Sequence, residues 1–346
     1  MRTLLLIIDP QVDFISGSLP VPGAKEAMDK LAEWIKNDPR EFTDIIVTLD
    51  SHLPNHISFN SNWQWISKDS RPQTVTYDQL VSGWNSWDVG FTPAPHIHDK
   101  FNKIKNYLST VKELHLWPDH CVVGTEGHQI YKPLVEALDA RYRLTGYSWE
   151  IVLKGNNPDI EQYSAVASAA PGYNGGLNYS QEINEELLEK FDKIYIAGIA
   201  RDFCVAETVK DLVKYYPELI KNKLNLVLES MPYISEEMPE IFNEITKEDS
   251  VFKATYFTIP KIPNDVYTNL GEAILGRHNV EPNLPEPIEN YITLSIEDAE
   301  KLFSDLPEFK TNSIKYEDHR NGSVYFIPKA WVEQYYSKEN SENKEN

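Results

Sequence analysis

Short apolar runs alternating with helical spacing constrain this chain more than any other feature. Residues 4–8, 45–49 and 194–196 each read as a buried strand, and residues 149–153, 224–228 and 254–259 as further strands. Between them, residues 24–37, the stretch around Ile130, Leu134 and Leu138, residues 183–191 and residues 241–245 read as helices. Strands alternating with helices predict a three-layer α/β/α fold around a mainly parallel, doubly wound sheet of about six strands. In such sheets the site lies beyond the carboxyl ends of the strands. Asp9, Asp50, Lys154 and the turn that carries Cys204 all fall there.

Two segments stand outside this alternation. Residues 60–113 hold Trp63, Trp65, Trp84 and Trp87 without sustained periodicity, and read as an insertion over the active edge of the sheet. After Pro260, prolines at 263, 282, 285 and 287 punctuate a polar connector. The expected organisation is an α/β domain over 1–260, a C-terminal extension over 261–336 and a disordered tail over 337–346. In the extension, residues 295–303 and 330–336 read as short helices and residues 323–327 as a strand.

Composition narrows the function. With 53 acidic against 33 basic side chains the formal net charge is −20, which argues against nucleic acid or an anionic membrane as partner. Two cysteines in 346 residues make no disulfide framework and predict a reducing, cytoplasmic setting. The apolar run at the N-terminus is too short for a signal-peptide core, and no segment approaches a membrane span.

Two constellations carry chemistry. A carboxylate (Asp9), an ammonium (Lys154) and a thiol (Cys204) on successive strand ends suit an activated nucleophile, with the carboxylate taking the thiol proton. Cys204 stands where a helix should begin, which predicts a lowered thiol pKa. The second constellation is Asp50 and His52, two apart on a strand exit and able to share a metal, with His120 offering a third ligand. Oxygen and nitrogen donors suit zinc, iron or manganese alike. His56 is open as a fourth ligand or a supporting partner, and His96-Ile-His98-Asp99 is a rival metal motif.

Asp9-Pro-Gln-Val-Asp-Phe14, the loop 17–24, Asp50-Ser-His52 with His56, Trp117-Pro-Asp-His-Cys-Val122, Lys154-Gly155, Tyr163-Ser-Ala165 and Gly198-Ile-Ala-Arg-Asp-Phe-Cys-Val205 occur in one order. Together they resemble the isochorismatase-like cysteine hydrolases, most closely their nicotinamidase/pyrazinamidase branch, over residues 1–260. The resemblance implies Asp9, Lys154 and Cys204 as the catalytic triad, and Asp50, His52 and His120 as ligands of one divalent metal, zinc first, with iron or manganese as alternatives. It implies a cis Ile199–Ala200 peptide, an oxyanion hole from the Ala200 and Cys204 amides, and Phe14 and Tyr163 as walls for a flat ring. The implied reaction takes nicotinamide to nicotinate and ammonia through a Cys204 thioester, in NAD salvage. The partner is then a small aromatic amide, with a homo-oligomer open. Ser51 and Val166 depart from the family's usual Trp and Phe, which bears on substrate identity more than on the reaction. The nearest alternative is a related cysteine amidase acting on another small amide or carbamoyl compound. A non-catalytic binding protein on the same fold is the alternative from a different class.

Overall fold

A computed structural model describes residues 1–65, 73–83, 91–93, 100–168, 183–247, 250, 254–259, 291–295, 314–318 and 322–328. Contacts divide the chain into two compact units. The first comprises Met1–Glu33, Glu41–Asp139 and Tyr147–Ile259; the second comprises Trp34–Arg40, Ala140–Gly146 and Pro260–Asn346.

In chain order, the first strand and two helices are β1 (Thr3–Ile8), α1 (Val12–Ile15) and α2 (Ala24–Asn37), followed by β2 (Asp44–Asp50). Then come β3 (Trp63–Trp65), β4 (Thr74–Thr76), α3 (Tyr77–Gly83), β5 (Phe91–Pro93), α4 (Phe101–Val111) and β6 (Glu113–His115). The α/β alternation resumes with α5 (Lys132–Thr145), β7 (Trp149–Lys154), α6 (Glu185–Leu188), β8 (Lys193–Gly198) and α7 (Ala206–Tyr215). It ends with α8 (Pro217–Ile220), β9 (Leu224–Leu226), α9 (Glu240–Thr246) and β10 (Thr255–Tyr256). In the second unit β11 (Tyr291–Ser295), β12 (Ile314–Asp318) and β13 (Gly322–Pro328) form an antiparallel sheet with β13 in the middle.

Six strands form one parallel sheet in the order β10–β9–β8–β1–β2–β7. All six residues of β1 are buried, as a continuous apolar run between two paired neighbours requires. The chain adds β2 and β7 on one side of β1, then returns to lay β8, β9 and β10 on the other. The order therefore reverses between β1 and β8, and the crevice at their carboxyl ends is where a doubly wound sheet binds its ligand.

Several boundaries differ from the pattern in the sequence. The run at 224–228 stops as a strand at Leu226 and turns through a 3₁₀ segment, Leu228–Ser230. The edge strand at 254–259 shrinks to two residues, and the helix expected over 183–191 to one turn capped by the Asn184 side chain. Ser295 ends a strand instead of starting a helix. The rest of that expected helix, the helix at 330–336 and the tail from 337 lie outside the described residues.

Strand β8 ends on Gly198, with φ +121°. A Cβ there would lie 2.1 Å from the Ile8 carbonyl oxygen and 2.4 Å from the Ile8 nitrogen, so the two central strands pass too closely for any side chain. Gly198→Ala is expected to cost about 2–4 kcal/mol, combining backbone strain with overpacking. A urea unfolding midpoint equal to wild type would contradict that close approach.

Candidate active site

Each side chain of the site is carried to one point by a strand end. Asp9 follows β1 directly, in the left-handed region at φ +46°. Thr48 on β2 holds it, the Thr48 hydroxyl donating to Asp9 Oδ1 at 2.7 Å while the Asp9 N–H donates to Thr48 Oγ1 at 3.1 Å. Lys154 ends β7, two strands away, and is 2 % exposed. Its Nζ lies 2.8 Å from Asp9 Oδ2, donates to Asp50 Oδ1 at 3.1 Å, and stands 3.6 Å from Cys204 Sγ. Cys204 sits in a π-helical turn, Arg201–Val205, that precedes α7. The Ile199–Ala200 peptide bond just before it is cis.

The thiol differs from expectation. Burial pushes Cys204 well above an ordinary thiol, with Asp9 and Asp50 adding to the rise and Lys154 opposing it. A helix-start position favours thiolate only where the dipole outweighs desolvation, and here the thiol is buried beside two carboxylates. Burial also raises Asp9, against the pull of Lys154. For Lys154 burial acts downward, but Asp50 and Asp9 outweigh it and hold the ammonium protonated.

Asp50, the last residue of β2, links this cluster to a second one. Its backbone is gripped by Gln11, whose Nε2 donates to the Asp50 carbonyl at 2.8 Å and whose Oε1 accepts the Asp50 N–H at 2.8 Å. Residues 117–123 run beside residues 52–60: the His52 N–H donates to the Cys121 carbonyl, the Val123 N–H to the His52 carbonyl and the Trp117 N–H to the Ser58 carbonyl. The buried Asp13 pins that segment by accepting the Cys121 N–H at 2.7 Å. Cys121 is thus a buried structural residue, and the loop places His120 opposite His52, ring centroids 5.0 Å apart.

Asp50, His52 and His120 each offer a ligand atom within 4.8 Å of the others, and all three are buried. Backbone carbonyls fix both imidazoles. His52 Nδ1 lies 3.1 Å from the Gly155 carbonyl oxygen and His120 Nδ1 2.7 Å from that of Pro118, so each Nδ1 carries a hydrogen and each Nε2 is left to take a cation, a proton or a metal ion. The two Nε2 atoms face Asp50 Oδ2 at 2.9 and 3.5 Å. Among the described residues His52 Nε2 has no hydrogen-bond partner of ordinary geometry despite that proximity. Acceptors converging in this way need a cation between them, and the donor set with carbonyl-anchored histidines fits a divalent metal. Without one, Asp50 overcomes the effect of burial and pushes His52 up to about 9. Gly155 is required here, because a Cβ would lie 2.6 Å from Asp50 Oδ1 and 3.0 Å from His52.

His56 is differently placed. Its Nε2 faces the Ile160 carbonyl oxygen at 3.1 Å, and its Nδ1 pairs with the Ser58 hydroxyl at 2.7 Å, so neither nitrogen is free to bind a metal. His96 and His98 lie outside the described residues.

A cavity opens onto Cys204, Asp50 and His120. Phe14 and Tyr163 line it, as do Trp117, Phe203 and Ala200. The Trp117 indole N–H donates to the Tyr163 hydroxyl at 3.1 Å, and Phe203 meets Trp117 edge-on, centroids 5.1 Å apart. Among the insertion tryptophans, Trp63 belongs to the insertion's own core, its indole N–H donating to the Ile57 carbonyl. The Trp65 side chain, Trp84 and Trp87 lie outside the described residues. Trp117 and Phe203 were missed as walls, although each adjoins a motif residue, three before His120 and one before Cys204. Buried Glu161 also lines the cavity, and no pattern in the sequence marks it.

No protein-family model matches the chain. Among curated proteins, the nicotinamidase of Acinetobacter baylyi is 31% identical over 212 residues, covering 61% of this chain and 74% of the relative. The nicotinamidase of Saccharomyces cerevisiae is 29% identical over 253 residues, covering 72% and 95%. A solved structure of the yeast nicotinamidase aligns with 75% of this chain and 100% of its own, at 27% identity and a TM-score of 0.48. The curated relatives, together with the parallel sheet and its strand-end site, define the class as the isochorismatase-like hydrolases, of three-layer α/β/α architecture. Within that class, the chain belongs to the nicotinamidase family.

The burial of Cys204 predicts its reactivity. A raised thiol pKa means little thiolate at neutral pH, so alkylation by iodoacetamide should be slow at pH 7 and accelerate as pH climbs through and beyond the ordinary thiol range. Peptide mass spectrometry across pH checks this, and a rate already at its plateau at pH 6 would contradict it.

Proposed function

We propose that this protein is a metal-containing cysteine amidohydrolase that converts nicotinamide to nicotinate and ammonia, as in NAD salvage. The observation that carries the reading is the convergence of Asp9 and Lys154 with Cys204, which lines an aromatic-walled cavity, Lys154 Nζ being 2.8 Å from Asp9 and 3.6 Å from Cys204 Sγ. The similarity to curated nicotinamidases supports the choice of substrate.

The aromatic ring packs between Phe14, Trp117, Tyr163 and Phe203, which sets the carboxamide carbon against Cys204. Asp9 takes the Cys204 proton, and its burial makes it a stronger base than an exposed carboxylate. The sulfur bonds to the amide carbon, and the carbonyl oxygen becomes an oxyanion held by the Ala200 and Cys204 backbone N–H groups. Lys154 keeps its proton and stabilises the negative charge as it moves between Asp9 and the sulfur. The carbon–nitrogen bond then breaks as Asp9 returns the proton to nitrogen, releasing ammonia and leaving a thioester. Asp9 next deprotonates a water, which adds to the thioester carbon. The carbon–sulfur bond breaks, nicotinate leaves and the thiol is restored.

Asp50, His52 and His120 would hold the metal, for which zinc suits the nitrogen–oxygen donor set, with iron and manganese as the alternatives. When bound, the ion supplies a Lewis-acid contact for the ring nitrogen of the substrate. Residues 1–260 form the hydrolytic domain in this reading, with 261–336 as an extension outside it.

Ammonia release from nicotinamide tests the proposal. Wild-type protein loaded with Zn²⁺ should release it, and Cys204→Ala should lose at least about 10³-fold in kcat/KM. Chelation should lower the activity and added metal restore it. No release by wild type with any of the three metals would refute the function, and activity persisting in Cys204→Ala would refute the mechanism.

A further inference from the structure

Glu161 takes no part in the chemistry above, yet its carboxylate is among the most enclosed polar groups of the cavity, the residue being 2 % exposed. Oε1 accepts the Gln162 N–H at 2.9 Å. Oε2 is buried with no hydrogen-bond partner among the described residues. A buried carboxylate oxygen left without a donor is costly, and an unpaired group in a functional cavity points to a partner that arrives with a ligand.

The neighbours indicate which ligand. Glu161 clusters with His52 and His56, one ligand atom from each lying within 4.8 Å of the others. His56 is occupied at both nitrogens, so this cluster is no second metal site. What remains is His52, shared with Asp50 and His120, and an unpaired oxygen beside it. Glu161 joins His52 in a separate cluster from Asp50 and His120, whereas donors bonded to one ion at about 2.0–2.3 Å crowd closely together. A carboxylate oxygen within 4.8 Å of a metal-binding histidine's ring nitrogen, but outside the donor cluster, suits a group that receives a hydrogen bond from the metal's solvent ligand.

We propose that Glu161 Oε2 accepts a hydrogen bond from a water bound to the metal of the Asp50–His52–His120 site. The inference rests on the proposed metal site being real. It also gives the insertion a task. The Glu161 backbone is hydrogen-bonded to the Tyr107 hydroxyl of α4. Asp159, two residues earlier, is held by Lys100 at 2.9 Å and Lys103 at 2.6 Å, and Ile160 is part of the insertion's apolar core. The carboxylate is thereby fixed before any metal arrives, and an acceptor already in place strengthens metal binding.

Zn²⁺ affinity by chelator competition tests this on wild type and Glu161→Gln, alongside thermal unfolding of both metal-free proteins. The expected result is about 10-fold or more weaker Zn²⁺ binding in Glu161→Gln. Its metal-free unfolding midpoint should be no lower than wild type, since the amide keeps an acceptor for the Gln162 N–H and Oε2 had no partner to lose. A purely structural role would give the reverse, a lowered midpoint with unchanged affinity, and would overturn the proposal. Binding within about twofold of wild type in the folded variant would also overturn it, being well short of the loss expected for such a partner. Wild type that binds no Zn²⁺ would overturn the metal site and this proposal together. A crystal structure of Zn²⁺-loaded wild type needs no variant. It should place a metal-bound water about 2.5–3.0 Å from Glu161 Oε2, and a metal with no water within hydrogen-bond reach of that oxygen would sink the idea.

Discussion

The buried Lys154 ammonium holds this site together. It lies 2.8 Å from Asp9 and 3.1 Å from Asp50, in a place where its side chain is 1 % exposed. Two carboxylates from adjacent strands could not both stay ionised so close together in a dry interior without a cation between them. Removing one member of such a group typically costs about 3–5 kcal/mol, because the remaining charge is stranded. The same ammonium is 3.6 Å from Cys204 Sγ, so one positive charge faces the proposed nucleophile, its proposed base and the carboxylate of the candidate metal cluster. Asp50 is therefore both the partner of Lys154 through Oδ1 and the neighbour of His52 and His120 through Oδ2.

The fold explains why these groups meet. Asp9, Asp50 and Lys154 end three parallel strands, β1, β2 and β7, that are neighbours in the sheet although β7 comes a hundred residues later in the chain. Cys204 arrives from β8 on the other side of β1, across the point where strand order reverses. The close passage of Gly198 against Ile8 brings that turn up to Asp9. The insertion supports the remaining segment of the site. Its core, built around Trp63, Ile104, Tyr107 and Leu108, also takes in Ile160, and so steadies the backbone between Lys154 and Tyr163.

The sheet was legible in the sequence because a buried parallel strand needs a continuous apolar run, and residues 4–8, 45–49 and 194–196 supply it without ambiguity. The residues at their carboxyl ends followed from topology alone. The insertion was not legible for a physical reason. Its strands are three residues long and pair across large separations, Thr74–Thr76 with Glu113–His115 and Trp63–Trp65 with Phe91–Pro93, which leaves no periodicity to read. Glu161 and Phe203 were invisible because tertiary packing alone turns them into the cavity. The thiol was misjudged for a related reason: helix position is written in the sequence, whereas the desolvation that dominates Cys204 is a property of the assembled site.

Covalent chemistry at Cys204 is the point on which the functional reading stands, and trapping the intermediate tests it most directly. Protein mixed with excess nicotinamide, quenched in acid within the first turnovers and digested should yield a nicotinoyl thioester on the peptide that carries Cys204. The same experiment with Lys154→Met should yield none, because the charge that stabilises the developing thiolate is gone. Turnover of nicotinamide by wild type without any adduct on Cys204, or with the adduct on Cys121, would contradict the assignment.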